Sequence, residues 1–209
     1  MGRILLIRHG QPNWGDEPRY TGRTDLPLSE LGERQAQRLA ERLAGERLDA
    51  IYSTGMRRTD ATAEALARER GLSVQTVAEL TELDFGEWEG LTASEIKARW
   101  PDIYAARWRD PAHVRCPGGE NYSDLAARAL PAFYRLARRH AEGAVAVIAH
   151  QATNRTILAD VLGLALERAR SIAQAPGAVN VIETGPVESR DGRLVVISIN
   201  DTCHLEALE

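Results

Sequence analysis

Two short apolar stretches of this chain each end in a histidine. The stretch ILLIRHG places Arg8 and His9 directly after apolar residues, and AVIAHQAT places His150 and Gln151 in the same way. A neutral imidazole can act as a nucleophile on phosphorus, and a guanidinium can hold phosphoryl oxygens. These residue types together indicate phosphoryl-transfer chemistry.

Two further segments offer cations and acids for the same chemistry. The strand-like stretch AIY ends at Ser53, and Arg57 and Arg58 follow at the predicted start of a helix. Adjacent helical residues point about 100° apart, so only one of the two arginines can face a given site. The stretch LTELDFGEWEG carries the carboxylates Glu82, Asp84, Glu87 and Glu89. A nearby carboxylic acid can protonate a leaving alkoxide and then activate water.

Each of these features has a simpler explanation when it is taken alone. Strand-end histidines are often structural, and arginines or acids in a row are usually solvated. Their convergence on one edge of a sheet is what indicates a shared site, because ligands of open parallel sheets bind outside the carboxyl ends of the strands. If the two histidine strands are parallel neighbours, His9 and His150 face each other. A helix that begins at Gln151 would also direct backbone N–H groups toward an anion there.

The remaining pattern predicts the elements that position these residues. Strand-like RILLI, DAIYS, SVQTV, AVAVIAH, AVNVIET and RLVVISIN alternate with helix-like segments. This alternation predicts an α/β fold, a three-layer sandwich in which helices flank a mostly parallel sheet. Residues 85–144 lack strand patterns and predict a helical insertion over the carboxyl edge of the sheet. We expect one domain over residues 1–209.

Three local signals refine this prediction. Ser29 is expected to begin a helix, since serine caps helix N-termini. Pro131 is expected to kink or restart the helix in which it lies. The RDG stretch at residues 190–192 is expected to form the turn between the last two strands.

Composition excludes several classes of function. The chain has 209 residues and a formal net charge of −4, and a mildly acidic surface does not broadly attract nucleic acid or an anionic membrane. No stretch reaches the roughly 20 apolar residues of a membrane helix. Cys116 and Cys203 lie far apart and form no CxxC pair, which predicts free thiols and a cytoplasmic protein. The absence of HxxxH and HxH spacings argues against a metallohydrolase. The oligomeric state is left open, a homodimer included.

In order and spacing, the segments resemble those of the histidine phosphatase superfamily, in its phosphoglycerate mutase-like branch. The resemblance extends from about Ile4 to at least Gly163. It is carried by the stretches ILLIRHG, YTGRTDLPLSELGERQA, YSTGMRRTDATAEA, LTELDFGEWEGLT, CPGGEN and VIAHQATNR. Any one of them could occur by chance, but the ordered set is specific.

The resemblance implies a phosphatase that needs no metal and no organic cofactor. It implies that His9 becomes phosphorylated, that Arg8, Arg58 and His150 bind the phosphoryl oxygens, and that Glu82 is the acid. The full set of candidate phosphate and substrate contacts is Arg8, Gln11, Asn13, Thr21, Gly22, Arg58, His150 and Gln151.

The chain departs from the family pattern after the first histidine. Pro12 stands where a threonine or serine is common, and Gly15 stands where an asparagine is common. Asn13 is a candidate substitute for that asparagine. Trp14, Tyr20 and Trp88 are candidates for the mouth of the pocket, with ordinary core packing as the alternative for Trp88.

These observations predict a hydrolase of a small phosphorylated metabolite that works through phosphohistidine. The alternatives are a cofactor-dependent phosphoglycerate mutase and a non-catalytic phosphate-binding module. The short stretch from Asn200 to Glu209 after the last strand favours hydrolysis, since the resemblance associates a longer closing tail with mutases. The intact set of site residues argues against the binding module. Sugar phosphates, phosphoglycerates, ribazole phosphate and nucleotides all remain open as substrates.

Overall fold

The computed structural model describes residues 2–15, 17–68, 70–184 and 194–208. Within these ranges, six strands form one sheet in the order β3-β2-β4-β1-β5-β6. The strands are β1 Arg3–Arg8, β2 Ala50–Ser53, β3 Val74–Thr76, β4 Ala144–Ala149, β5 Val179–Thr184 and β6 Leu194–Asp201. The α-helices are α1 Glu30–Arg42, α2 Arg57–Ala67, α3 Ala93–Arg99, α4 Pro101–Arg109, α5 Tyr122–Arg139 and α6 Gln151–Val161. The short 3₁₀ helices are Ala78–Leu80, Gly86–Trp88, Leu166–Ser171 and Cys203–Leu208.

The sheet has the strand directions that the sequence predicts. β1 pairs with β4 in parallel, with Arg8 opposite Ala149. β2 pairs in parallel with β4 and with β3, whereas β5 runs antiparallel to both β1 and β6. The prediction of a mostly parallel sheet is therefore confirmed. The parallel pairing of β1 with β4 also brings the two strand-end histidines to one edge.

The two faces of the sheet are covered by different helices. Strand residues alternate between faces, so Leu6 packs in one apolar cluster and Leu5 in the other. The Leu6 cluster includes Phe133 of α5, and the Leu5 cluster includes Leu39 of α1 and Leu66 of α2. Burial on both faces explains the continuous apolar runs of the strands. It also makes the predicted three-layer sandwich.

Two of the local predictions are decided within the described residues. Ser29 caps α1 as predicted, because its side chain accepts from the backbone N–H of Gly32 at 3.1 Å. Of the predicted kink or restart at Pro131, the restart is wrong, since α5 runs unbroken through this residue, and the kink stays a prediction. Proline removes one backbone donor, and the burial of flanking residues such as Ala129 and Phe133 outweighs that loss. The predicted RDG turn lies outside the described residues.

The strand-free stretch contributes to two parts of the molecule. Its long helix α5 packs beside α6 on one face of the sheet, whereas α4 lies at the carboxyl edge and lines a cavity there. None of the helices in the described ranges is both long and apolar enough to cross a membrane.

Candidate active site

The two strand-end histidines lie side by side at the carboxyl edge of the sheet. His9 follows β1 and His150 follows β4, and both side chains are buried. Their ring centroids are 5.1 Å apart, and the ring planes meet edge to face at 67°. The parallel pairing of the strands is what brings residues so distant in sequence into contact.

The tautomer of the His9 ring follows from the hydrogen bond that its side chain makes to the backbone. Its Nδ1 lies 2.6 Å from the carbonyl oxygen of Gly10, and a carbonyl can only accept. Nδ1 therefore carries the proton, and Nε2 keeps its lone pair. Burial, together with the nearby guanidinium groups of Arg58 and Arg8, holds the pKa of His9 well below 6.5. His9 is thus neutral at pH 7 and has a free nucleophilic nitrogen.

His150 is oriented by a chain of hydroxyl groups. Its Nε2 lies 2.9 Å from Thr54 Oγ1, which lies 2.9 Å from Thr59 Oγ1. Thr59 donates its proton to the carbonyl of Met56, so Thr54 must donate to Thr59. Thr54 Oγ1 then accepts from His150, which places the ring proton on Nε2.

The other ring nitrogen of His150 is left without a partner. Nδ1 is buried and has no hydrogen bond to any residue that the structure describes. Burial, with the charge of Arg58 as the next cause, holds the pKa of His150 well below 6.5. A phosphoryl oxygen that meets Nδ1 therefore needs a proton to bind there.

Two arginines bring positive charge to the histidines. Arg58 Nη1 donates to the carbonyl of Thr24 and Nη2 to that of Gly22, both at 2.8 Å. Arg8 Nη1 donates to the carbonyl of Gln174 at 2.5 Å. Burial lowers the pKa of Arg8 to about 10, so it stays charged at neutral pH. The neighbouring Arg57 is exposed, so Arg58 is the arginine that turns inward.

Glu82 occupies the N-terminus of α6. Its Oε2 accepts from the N–H of Ala152 at 3.1 Å, and its Oε1 accepts from Thr153 at 3.3 Å and from Leu83 at 2.9 Å. The first-turn N–H groups of a helix need acceptors, and the buried carboxyl group of Glu82 supplies them. Glu82 therefore already takes the N–H of Ala152, one of the backbone N–H groups that a helix beginning at Gln151 directs toward an anion.

Two adjoining cavities open at this edge. The narrow cavity, of about 190 Å³, is lined by Arg8, His9, Pro12, Trp14, Arg19, Tyr20, Thr21, Glu82, Phe85 and Gln151. The wide cavity, of about 460 Å³, shares Tyr20, Glu82, Phe85 and Gln151 with it. Arg58 and His150 are buried and do not line either cavity.

The segment after the first histidine behaves differently from the prediction. Gln11 and Asn13 do not line either cavity, because a bridge between Pro12 and Leu28 fixes this stretch and the Asn13 side chain is exposed. Asn13 Oδ1 instead accepts from the N–H of Gly15 at 3.1 Å. The structure therefore brings Pro12, and not Gln11 or Asn13, to the narrow cavity.

Thr21 and Gly22 take part in the site in separate ways. Thr21 lines the narrow cavity, and its Oγ1 accepts from the indole N–H of Trp14 at 3.0 Å. The N–H of Gly22 donates to Glu89 Oε1 at 2.9 Å, so it is not free for a phosphate. A Cβ at residue 22 would lie 1.9 Å from the carbonyl oxygen of Leu83. Gly22 therefore serves the site through its carbonyl, which positions Arg58.

Of the three aromatic candidates, two line the narrow cavity and one lies in the core. Trp14 and Tyr20 line the narrow cavity, whereas Trp88 is buried. Tyr20 packs edge to face against both Phe85 and Trp88. For Trp88, packing is therefore the explanation that the structure supports.

Sequence reasoning missed three arginines of the wide cavity. Arg107 of α4, Arg155 of α6 and Arg170 of the last 3₁₀ helix before β5 all line it. Each reads as an ordinary charged helix residue in the sequence. Only Arg107 carries a weak signal, because it lies between the apolar residues Ala106 and Trp108.

Comparisons with known proteins agree with this geometry. A family model described as the histidine phosphatase superfamily (branch 1) matches residues 4–201. Phosphoserine phosphatase 1 of Hydrogenobacter thermophilus is 32% identical over 205 residues, which cover 98% of this chain and 95% of that protein. A 2,3-bisphosphoglycerate-dependent phosphoglycerate mutase of Brucella ovis is 31% identical over 172 residues, which cover 79% and 84% of the two chains. The solved structure of Bacillus stearothermophilus YhfR superposes with a TM-score of 0.90 at 30% identity, covering 99% of this chain and 100% of that one.

Proposed function

The chain belongs to the histidine phosphatase superfamily, branch 1, and from this premise we propose that it hydrolyses small phosphorylated metabolites through a phosphohistidine at His9. The observation that carries the proposal is the hydrogen bond from His9 Nδ1 to the Gly10 carbonyl, which leaves Nε2 as a neutral nucleophile beside two arginines. The phosphatase relative, similar over nearly the whole length of both chains, supports the same reaction class.

Substrate binding places the phosphoryl group among cations. The Arg8 and Arg58 guanidinium groups balance its negative charge, and His150 Nδ1 meets one of its oxygens. That contact needs a proton, which the ester itself can bring because the second pKa of a phosphate ester is about 6. The other ring nitrogen of His150, Nε2, keeps its hydrogen bond to Thr54 Oγ1 during this step.

The first chemical step forms a bond from His9 Nε2 to phosphorus and breaks the bond from phosphorus to the leaving oxygen. A proton on Glu82 passes to that oxygen and releases a neutral alcohol. The arginines stabilise the charge of the transferring phosphoryl group in place.

The second step reverses the roles of the groups. Glu82 accepts a proton from water, the water oxygen bonds to phosphorus, and the bond from Nε2 to phosphorus breaks. Inorganic phosphate leaves, and His9 recovers its lone pair. We propose that neither step uses a metal and that the protein works in the cytoplasm.

Replacement of His9 tests the nucleophile directly. Wild-type protein is expected to release phosphate from p-nitrophenyl phosphate, and His9→Ala to lose at least about 10³-fold in kcat, as with other nucleophiles of covalent catalysis. His113→Ala, an exposed histidine that lines neither cavity, is the matched control and should keep full activity. Release that survives His9→Ala contradicts the proposal, and EDTA sensitivity contradicts metal independence.

The proton-donor role of Glu82 has its own test. A leaving group that needs no protonation hides the loss of an acid, so Glu82→Gln should slow an alkyl phosphate far more than p-nitrophenyl phosphate, by about 10²-fold more. Equal losses on both substrates would remove Glu82 from the protonation step.

A phosphoglycerate mutase remains the second candidate because one similar relative carries that name. Incubation with 3-phosphoglycerate and a trace of 2,3-bisphosphoglycerate separates the two activities. We expect phosphate release to dominate, and fast interconversion with little phosphate release would reverse the preference.

A further inference from the structure

Arg107 is a buried cation without a counter-charge in the described part of the chain. Its side chain is 1% exposed, and Nε, Nη1 and Nη2 are all buried without a hydrogen-bond partner. Arginine cannot shed its proton in a protein. Burying an unpaired charge costs several kcal/mol, so an orphaned guanidinium requires an explanation.

The neighbours of Arg107 do not supply that explanation. The guanidinium lies 5.9 Å from the ring of Phe85 and 5.7 Å from that of Trp88. Cation–π contacts of this kind contribute about 2 kcal/mol when desolvated, less than the cost of burial. The nearby Cys116 thiol is a weak acceptor, and burial raises its pKa to about 11, which keeps it neutral.

The surroundings of Arg107 add positive charge. Arg155 and Arg170 line the same cavity, and Arg170 Nη1 donates to the carbonyl of Arg107 at 3.5 Å. The acids in that lining are Glu82, which α6 already holds, and the exposed Glu167, whose Oε1 lies 3.7 Å from His113 Nδ1. Arginines therefore outnumber acids in the described lining of the wide cavity, which adjoins the cavity that His9 lines.

We propose that Arg107 binds a second anionic group of the substrate, a carboxylate or a second phosphoryl group, while the first phosphoryl group meets His9. This deepens the proposed function and rests on it. The two cavities share lining residues, so one small molecule can reach both. The guanidinium fork matches two anionic oxygens, and the rings of Tyr20 and Tyr122 flank the space for the carbon skeleton.

Non-hydrolysable ligands test this subsite without catalysis. Calorimetry would compare benzylphosphonate with its para-carboxylate derivative and its para-phosphonate derivative. Wild-type protein should bind at least one of the doubly anionic ligands about 10- to 100-fold more tightly, the range of a charge-assisted hydrogen-bonded pair. Whichever derivative gains more identifies the second anion as carboxylate or phosphoryl.

Arg107→Met should abolish that gain and leave the affinity for benzylphosphonate within about twofold. Arg109→Met, on the same helix and exposed, is the matched control and should keep the gain. Arg107→Lys retains the charge without the fork and should keep a part of it. A gain that survives Arg107→Met, or no gain in wild type from either derivative, overturns the proposal.

Stability provides an independent readout. Because the guanidinium has no hydrogen-bond partner among the described residues, Arg107→Met should leave the Tm unchanged or raise it. A large fall in Tm would show that Arg107 has a structural role and would also overturn the proposal. Hydrolysis of phenyl phosphate by the wild type, measured in parallel, tests the proposed function separately, because binding of the phosphonates does not depend on turnover.

Discussion

Arg58 and Arg107 are both 1% exposed, but their guanidinium groups differ in hydrogen bonding. Arg58, beside the narrow cavity, donates to the carbonyls of Gly22 and Thr24. Arg107, in the wide cavity, donates to no described residue. One cation is fixed by the chain itself, whereas the other is left for a ligand to satisfy.

This difference separates chemistry from selectivity. A group that must stabilise a transition state works best when its geometry exists before the substrate arrives, and the backbone carbonyls give Arg58 that geometry. A group that selects among substrates disfavours the wrong one because it stays buried without a hydrogen-bond partner when that substrate binds. On the proposal for Arg107, the narrow cavity would serve every phosphomonoester and the wide cavity would distinguish between them.

Replacing each arginine by methionine is expected to give the largest difference between the two positions. Arg58→Met should lower kcat on every phosphomonoester by about 10²- to 10³-fold, the cost of removing an electrostatic stabiliser. It should also lower the free energy of unfolding by about 2 kcal/mol, since two carbonyl acceptors lose their donor. Arg107→Met should do neither on phenyl phosphate, and steady-state kinetics with urea unfolding measures both.

The exposed Arg57 supplies the control for that pair. Arg57→Met removes a charge of the same kind at the adjacent position and should change kcat less than about twofold. Equal losses from Arg57→Met and Arg58→Met would mean that net charge, and not the buried clamp, governs activity.

The buried histidines and arginines of the site also predict that the free energy of unfolding depends on pH. Folded His9 and His150 have a pKa well below 6.5, because burial and the guanidinium groups of Arg58 and Arg8 disfavour their charged forms. The unfolded chain titrates near 6.5 and therefore binds protons first as pH falls. The free energy of unfolding should fall below about pH 6.5, by up to about 1.4 kcal/mol per pH unit for each histidine, until the folded pKa is reached.

Urea unfolding at pH 7.5 and pH 5.5 measures this fall. His150→Gln should reduce the difference in stability between the two pH values. Arg107→Met should leave that difference unchanged, since the residues described in the lining of the wide cavity include no histidine. A wild-type protein that is equally stable at both pH values would contradict the lowered pKa of these histidines.

Glu89 holds the loop that contains the two hydrogen-bond acceptors of Arg58. Its carboxylate accepts from the N–H groups of Gly22, Arg23 and Thr24 and therefore holds the loop whose carbonyls receive Arg58. Glu89→Gln weakens those charge-assisted bonds and should lower kcat about tenfold, corresponding to about 1.4 kcal/mol. Because Glu89 acts on a positioning loop, the loss should be equal for substrates with and without a second anion, as kcat values on the carboxylated and plain phenyl phosphates would show.

Thr54 gives the smallest expected effect. Thr54→Val removes the acceptor of His150 Nε2 without changing the size of the side chain much. We expect a loss in kcat/KM of about three- to tenfold, the contribution of one neutral hydrogen bond. Thr54→Ser keeps the hydroxyl and should restore the activity, whereas an equal loss in both variants would assign the effect to packing.

The comparison of the two arginines also shows how far sequence reasoning reaches. Arg58 was found because its segment resembles a family pattern and because only one of two adjacent helical arginines can turn inward. Arg107 was missed because its lack of a hydrogen-bond partner depends on residues that are distant in sequence, which no local sequence pattern indicates. Gln11 and Asn13 lie outside the lining of both cavities for a related reason, since the pairing of Pro12 with Leu28 fixes that stretch and is a contact between distant residues.

The α/β fold class, the strand that precedes each histidine and the order of the site segments follow from the sequence by itself, because apolar runs and strand-to-helix alternation are local properties. The tertiary structure alone decided which donors were already taken. In the folded chain, Glu82 accepts from the N-terminus of α6, and Arg58 donates to the carbonyls of Gly22 and Thr24. The Arg107 guanidinium has no hydrogen-bond partner among the described residues. These hydrogen bonds and this burial involve residues that are far apart in the chain. They therefore form only when the helices and strands pack together.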